Sequence, residues 1–122
     1  MKAAFVATTV AIAITSLITP ALGASLRCSL EQRFVCAPDA GCRPPPGGTA
    51  MSYVLIDTDR KTYSRCDGRG CESYQASFTT SGAFTNIDVP GRGMMAKLGA
   101  DLAFAEVVSI GLVLIVSHGK CQ

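Results

Sequence analysis

Few residues in this chain have the types and spacing to do chemistry. The most conspicuous are Cys66 and Cys71, which bracket the tetrapeptide DGRG. Two thiols at that spacing could form half of a structural zinc site, since such sites accept about two to four residues between paired cysteines. His118 and Cys121 would then supply the other half. A redox pair would need a two-residue gap in a thioredoxin-like βαβ setting, and neither is present. The third possibility is a stapled turn. The two glycines of DGRG permit positive φ, and an oxidising compartment would consume both thiols. The stapled turn is the expectation, and Cys66, Cys71, His118 and Cys121 remain the weaker metal alternative.

Nucleophilic and acid–base chemistry find less support. A nucleophilic triad needs a histidine as base, and His118 is the only one. It lies beside Gly119 at the end of an apolar run, and no G-x-S-x-G elbow accompanies it. The carboxylates come in two pairs, Asp57 with Asp59 and Asp67 with Glu72. General acid catalysis would need one carboxyl in an apolar pocket. Asp57, Asp59 and Asp67 sit instead in turn-forming segments, where their oxygens cap backbone N–H groups. Glu72 follows just after one. A calcium loop would need a longer ligand series. GRGMMA, Gly91 to Ala96, matches a dinucleotide-binding fingerprint, but too little chain follows it to complete that fold. The expectation is therefore a protein with no catalytic constellation and no cofactor.

The compartment follows from the N-terminus. Lys2 precedes an apolar run from Ala3 to about Leu17. Pro20 ends it, and Ala21 and Gly23 supply small residues before a cut after Gly23. This is the pattern of a secretory signal peptide over residues 1–23, and the run is short for a membrane span of about 20 residues. What remains, residues 24–122, is long enough for one domain with a modest core. Over the whole chain 11 basic residues face 9 acidic ones, a formal charge of +2. That balance gives no electrostatic case for nucleic acid or an anionic membrane. LVLIVS near the end is far too short to cross a bilayer.

All six cysteines, at 28, 36, 42, 66, 71 and 121, follow the expected cut. An even number in a small exported domain reads as a disulfide framework. Short loops favour Cys66–Cys71 and Cys36–Cys42, which leaves Cys28–Cys121. In the chain-entropy picture the short loops are each worth about 2 kcal/mol and the end-to-end closure about 4.7 kcal/mol.

The elements must then hold these residues in place. LRCSLEQRFVC is compatible with a first strand. CAPDAGCRPPPGGT reads as a long irregular loop, because Pro44 to Pro46 lock φ and lack donors. AMSYVLID and KTYSRC read as a hairpin, with Val54 and Ile56 on one face and Tyr53 and Leu55 on the other. SYQASFTT and AFTNIDV alternate around a turn at Ser81-Gly82. MMAKLGADLAFAEVV carries some helical spacing, but Gly99-Ala100-Asp101 looks like a turn, and two short strands are preferred. LVLIVS reads as a strand buried on both faces. The sum is an all-β protein, a small antiparallel meander barrel or sandwich of seven to eight short strands, stapled by disulfides.

FVC, YVLIDTDRKTYSRCDGRGC, SGAFTNIDVPGRGMMAK, FAEVV and the terminal VSHGKC resemble small exported six-cysteine proteins of Gram-negative, often soil- or plant-associated, bacteria. That resemblance implies a compartment and a fold rather than an activity. A fainter similarity runs to C-type lysozyme inhibitors, small periplasmic barrels with a serine-glycine, aromatic, then lysine pattern. It implies Ser81, Gly82, Phe84 and Lys97 as an inhibitor-type surface, although the segment after Lys97 is spaced differently. The functional expectation is a periplasmic or secreted, non-enzymatic binding protein for an unknown protein or envelope component. An inhibitor of a lysozyme-type hydrolase, or a small zinc protein or enzyme, are the alternatives.

Overall fold

The computed structural model describes residues 25–47 and 52–122. The expected signal peptide, its cut after Gly23 and Ala24 lie outside the described residues. Ten strands follow one another: β1 (Ser25–Ala37), β2 (Gly41–Arg43), β3 (Tyr53–Asp57), β4 (Thr62–Asp67), β5 (Gly70–Gln75), β6 (Ser77–Ser81), β7 (Phe84–Val89), β8 (Met94–Gly99), β9 (Ala103–Ile110) and β10 (Val113–Cys121). Every pairing is antiparallel. The sheet runs β5-β4-β3-β1-β10-β9-β8-β7-β6, with β2 alongside β1. Two meanders are thus joined where the first strand pairs with the last, and the sheet curls into a nearly closed barrel. Its seam lies between β5 and β6, neighbours in sequence that do not pair.

Period-two alternation decides which side chains enter the barrel. Val54 and Ile56 of β3 and Ile87 of β7 are fully buried, and Val89 of β7 and Phe104 of β9 nearly so. They meet Cys28, Leu30, Tyr63, Met94, Ala96 and Val108 in one core. Each large apolar side chain buried there contributes about 1.5–3 kcal/mol. The three disulfides, Cys28–Cys121, Cys36–Cys42 and Cys66–Cys71, each join residues directly opposed across two strands.

Four sequence expectations need correction. Among the described residues there are ten strands, nine of them along the barrel and β2 beside β1, rather than seven or eight. SYQASFTT, read as one strand, divides at Ala76, whose N–H donates to the carbonyl of Lys61 at 2.9 Å and turns the chain from β5 to β6. Residues Gly41–Arg43, read as loop, form β2, because the Cys36–Cys42 bond holds them beside β1. LVLIVS is not buried on both faces. Leu112 is 81% exposed because it lies in the β9–β10 turn, and Leu114 41% because no second layer covers the outer face of β10. The stretch MMAKLGADLAFAEVV forms β8 and β9 with a turn at Ala100-Asp101, as two short strands.

Strand β1 bulges between Leu30 and Gln32, leaving Glu31 without a partner on β10. The bulge brings the Ser29 and Leu30 backbone hard against Gly119 of β10. A Cβ at Gly119 would lie 1.7 Å from the Ser29 carbonyl oxygen, so glycine is required there by close approach. Beyond the bulge the register returns Arg33 to the inner face, opposite Ser117.

Candidate functional site: an arginine-lined barrel mouth and an apolar outer wall

One inner row crosses six strands in direct register: Arg33, Ser117, Glu106, Ala96, Ile87 and Phe78. Its centre is polar. Glu106 has no solvent exposure, yet both its carboxylate oxygens find donors across the barrel. The Tyr63 hydroxyl donates to Oε2 at 2.5 Å. Arg65 donates through Nε to Oε2 at 3.1 Å and through Nη2 to Oε1 at 3.2 Å. This bidentate fork ties β9 to β4. Burial beside the Glu106 carboxylate pushes the Tyr63 phenol far above its usual range, desolvation being the larger cause. Glu106 is thereby enclosed, with both carboxylate oxygens held by β4.

Above this cluster the barrel opens into a cleft of about 500 Å³, lined in part by Leu30, Arg33, Ser52, Arg65, Arg69 and Glu72. Arg33 is half-buried on its wall. Its Nη2 donates to Ser52 Oγ at 2.7 Å and its Nε to Ser117 Oγ at 3.4 Å. Arg65 is already paired with Glu106. The rim carboxylates have local partners. Asp67 Oδ1 accepts the Arg69 N–H at 2.7 Å and closes the stapled turn. Glu72 accepts the Tyr74 hydroxyl at 2.5 Å, a bond that raises the Tyr74 phenol above its ordinary value.

The outer surface has a different character. Phe34, Val116, Val107 and Met95 stand in direct register across β1, β10, β9 and β8. Phe34 and Met95 are exposed, at 37% and 57%. Beyond the middle of this stripe, where β9 and β10 run on into their hairpin, Ile110, Leu112 and Leu114 are all exposed. Ile110 is the last residue of β9 and projects beyond the pairing of β8, which ends at Val108.

The residues singled out from sequence fall as follows. Ser81 ends β6, Gly82 forms the β6–β7 turn, and Phe84 begins β7 and is half-exposed. Lys97 on β8 places its Nζ 5.5 Å from the centre of the Phe84 ring. The structure therefore brings Phe84 and Lys97 together at one hairpin end. Asp57 accepts the N–H groups of Asp59 and Arg60, the capping duty expected of it. His118 is exposed and opposes Gln32 on the outer side of β1. The zinc alternative is corrected: Cys66 and Cys71 are bonded to each other and Cys121 to Cys28, so none offers His118 a thiolate. Gly91 and Gly93 of GRGMMA lie in the β7–β8 turn, and a strand rather than a helix follows.

Sequence reasoning missed the Glu106 cluster and Arg33. Glu106 did carry a signal, since it alternates in phase with Phe104 and Val108 and so occupies a core position. Arg33 carried none, because the bulge at Glu31 sets which way it points. No known protein family, curated protein or solved structure matches the chain. Among the described residues, no helix is long and apolar enough to cross a membrane, and the three disulfides fit an oxidising compartment.

Proposed function

We propose that the protein is an exported, non-enzymatic binding module that docks onto a protein of the envelope or secretome. The observation that carries this reading is the apolar stripe of Phe34, Val116, Val107 and Met95 on the outer face, extended along β10 by Leu114 and at the hairpin tip by Leu112. Scattered exposed apolar residues are ordinary, but a contiguous run in register over four strands marks an interaction surface. The committed state of Glu106 and the outward position of His118 support a binding rather than a catalytic role. Site-specific photocrosslinkers at Phe34, Met95 and Leu114, compared with one at Asp59 on the remote β3–β4 turn, test the reading in the native host. A discrete adduct with one protein from the wall positions alone is expected. Equal labelling from Asp59, or no adduct from the wall, would reject it.

A second reading has one observation in its favour. The Phe84–Lys97 pair presents a cation and an aromatic ring together on an exposed hairpin, the two residues that the resemblance to lysozyme inhibitors points to. Purified protein in molar excess should then slow a C-type or g-type lysozyme, and Lys97→Ala should abolish the effect. Full lysozyme activity in its presence ends this reading and leaves the first untouched.

A further inference from the structure

The outer wall leaves the barrel mouth unexplained. Its inner side holds two arginines, Arg33 and Arg65, against the single buried carboxylate of Glu106. Glu106 is spent on Arg65 and Tyr63. Arg33 has only neutral hydroxyl partners, from Ser52 and Ser117. Among the described residues, no carboxylate lies within ion-pair distance of it. A half-buried guanidinium without a counter-charge carries a desolvation cost that an anion would relieve.

The direction of the unused donors matters. Nε and Nη2 each give one hydrogen to a serine, and both serines lie along one edge of the guanidinium. Nη1 and the second hydrogen of Nη2 form the end-on fork, which has no partner among the described residues. That fork matches two oxygens of a carboxylate or phosphate. The cleft beside it has room for a small ligand, at about 500 Å³. Asp67 and Glu72 also face this cleft, but Asp67 closes its own turn and Glu72 holds Tyr74. Arg69 adds a further cation at the rim.

We propose that the barrel mouth is a binding site for a small oxyanion, a carboxylate or phosphate group, taken end-on by Arg33. Ser52 and Ser117 hold the guanidinium in the plane that receives it. The site is separate from the outer apolar wall and works whether or not the wall has a partner.

The test is a titration of ¹⁵N-labelled full-length exported protein with sodium acetate and, separately, inorganic phosphate, at constant ionic strength. Saturable shifts are expected at the Arg33 Nε–H and at the Ser52 and Ser117 amides. Saturation by acetate alone assigns a carboxylate ligand, by phosphate alone a phosphorylated one, and by both the shared chemistry. Arg33→Gln should weaken binding about tenfold or more, and Arg60→Gln, at an exposed turn outside the cleft, should leave it unchanged. Linear shifts spread over the surface cations would overturn the site, as would an Arg33→Gln affinity within about twofold of wild type. If Arg33→Gln does not fold, the wild-type map decides alone: saturation at Arg33 supports the site and its absence removes it.

Discussion

Tyr63 on β4 and Glu106 on β9 are 43 residues apart in sequence and 2.5 Å apart across the barrel interior. With Arg65 they form a polar girder inside an otherwise apolar core. Its two charged ends differ in access to water. Glu106 is fully enclosed, whereas the Arg65 side chain keeps 31% of its exposure through the mouth.

That asymmetry predicts an order of stability losses. Arg65→Met strands a buried carboxylate and should cost about 3–5 kcal/mol. Glu106→Gln strands a guanidinium that can still reach water, and should cost less. The double replacement Arg65→Met with Glu106→Leu should recover much of the loss, because no charge is left buried. Urea denaturation of the three variants checks the order. A larger loss from Glu106→Gln than from Arg65→Met would contradict the geometry.

The Tyr63 phenol should stay protonated for as long as the fold lasts. Its folded pKa is raised above the ordinary value of 10.0 by burial and by Glu106. The unfolded chain therefore loses this proton first as pH rises through about 10, and stability falls from there upward. Below that pH both states hold the proton and the stabilisation is complete. Tyrosinate absorbance of the native protein and of Tyr63→Phe should coincide until alkaline unfolding begins. A native-range curve smaller by one tyrosine in Tyr63→Phe would show that the phenol titrates freely.

Gly119→Ala should be among the most damaging small substitutions. The new methyl would overlap the Ser29 carbonyl and press on Leu30 Cα at 3.2 Å, both main-chain atoms that cannot swing aside. A loss of about 1–3 kcal/mol or more is expected from such overpacking. In a domain of this size that lowers Tm by about 4–8 °C per kcal/mol. Gly68→Ala, where a Cβ meets nothing within 4 Å, is the matched control and should be close to neutral. Equal melting temperatures for the two variants would remove the close-approach argument.

The disulfides should contribute unequally. Replacing Cys28 and Cys121 by alanine opens a loop with a sequence separation of 93 and should cost about 4.7 kcal/mol. Replacing Cys66 and Cys71, separated by 5, should cost about 2 kcal/mol or less. Denaturant midpoints under non-reducing conditions measure both. A local staple as costly as the end-to-end bond would show that strand pairing around the turn depends on it.

Much of the barrel was legible because its signals are local. YVLID and FTNIDV alternate cleanly, and Val54, Ile56, Ile87 and Val89 are buried as that alternation requires. Gly99-Ala100-Asp101 marked the turn that divides β8 from β9. What stayed hidden depends on contacts between distant segments. The break at Ala76 is imposed by a hydrogen bond to Lys61. The exposure of Leu114 depends on the sheet having one layer on that side, which no window of residues encodes. Arg33 was unreadable because a bulge reverses the inward–outward count along β1. Phe84 and Lys97 were singled out by resemblance, and the structure places the Lys97 ammonium 5.5 Å from the centre of the Phe84 ring.

Arg27 and Gln122 exchange two backbone hydrogen bonds at 2.9 Å, one residue outside the Cys28–Cys121 bond. The disulfide closes residues 28–121 into a covalent ring, and the backbone leaves it on both sides at one pole. A fusion partner placed before Ser25 and another placed after Gln122 would emerge side by side there. Force applied between those two partners would load the sulfur–sulfur bond directly, and the rest of the barrel would bear almost none of it.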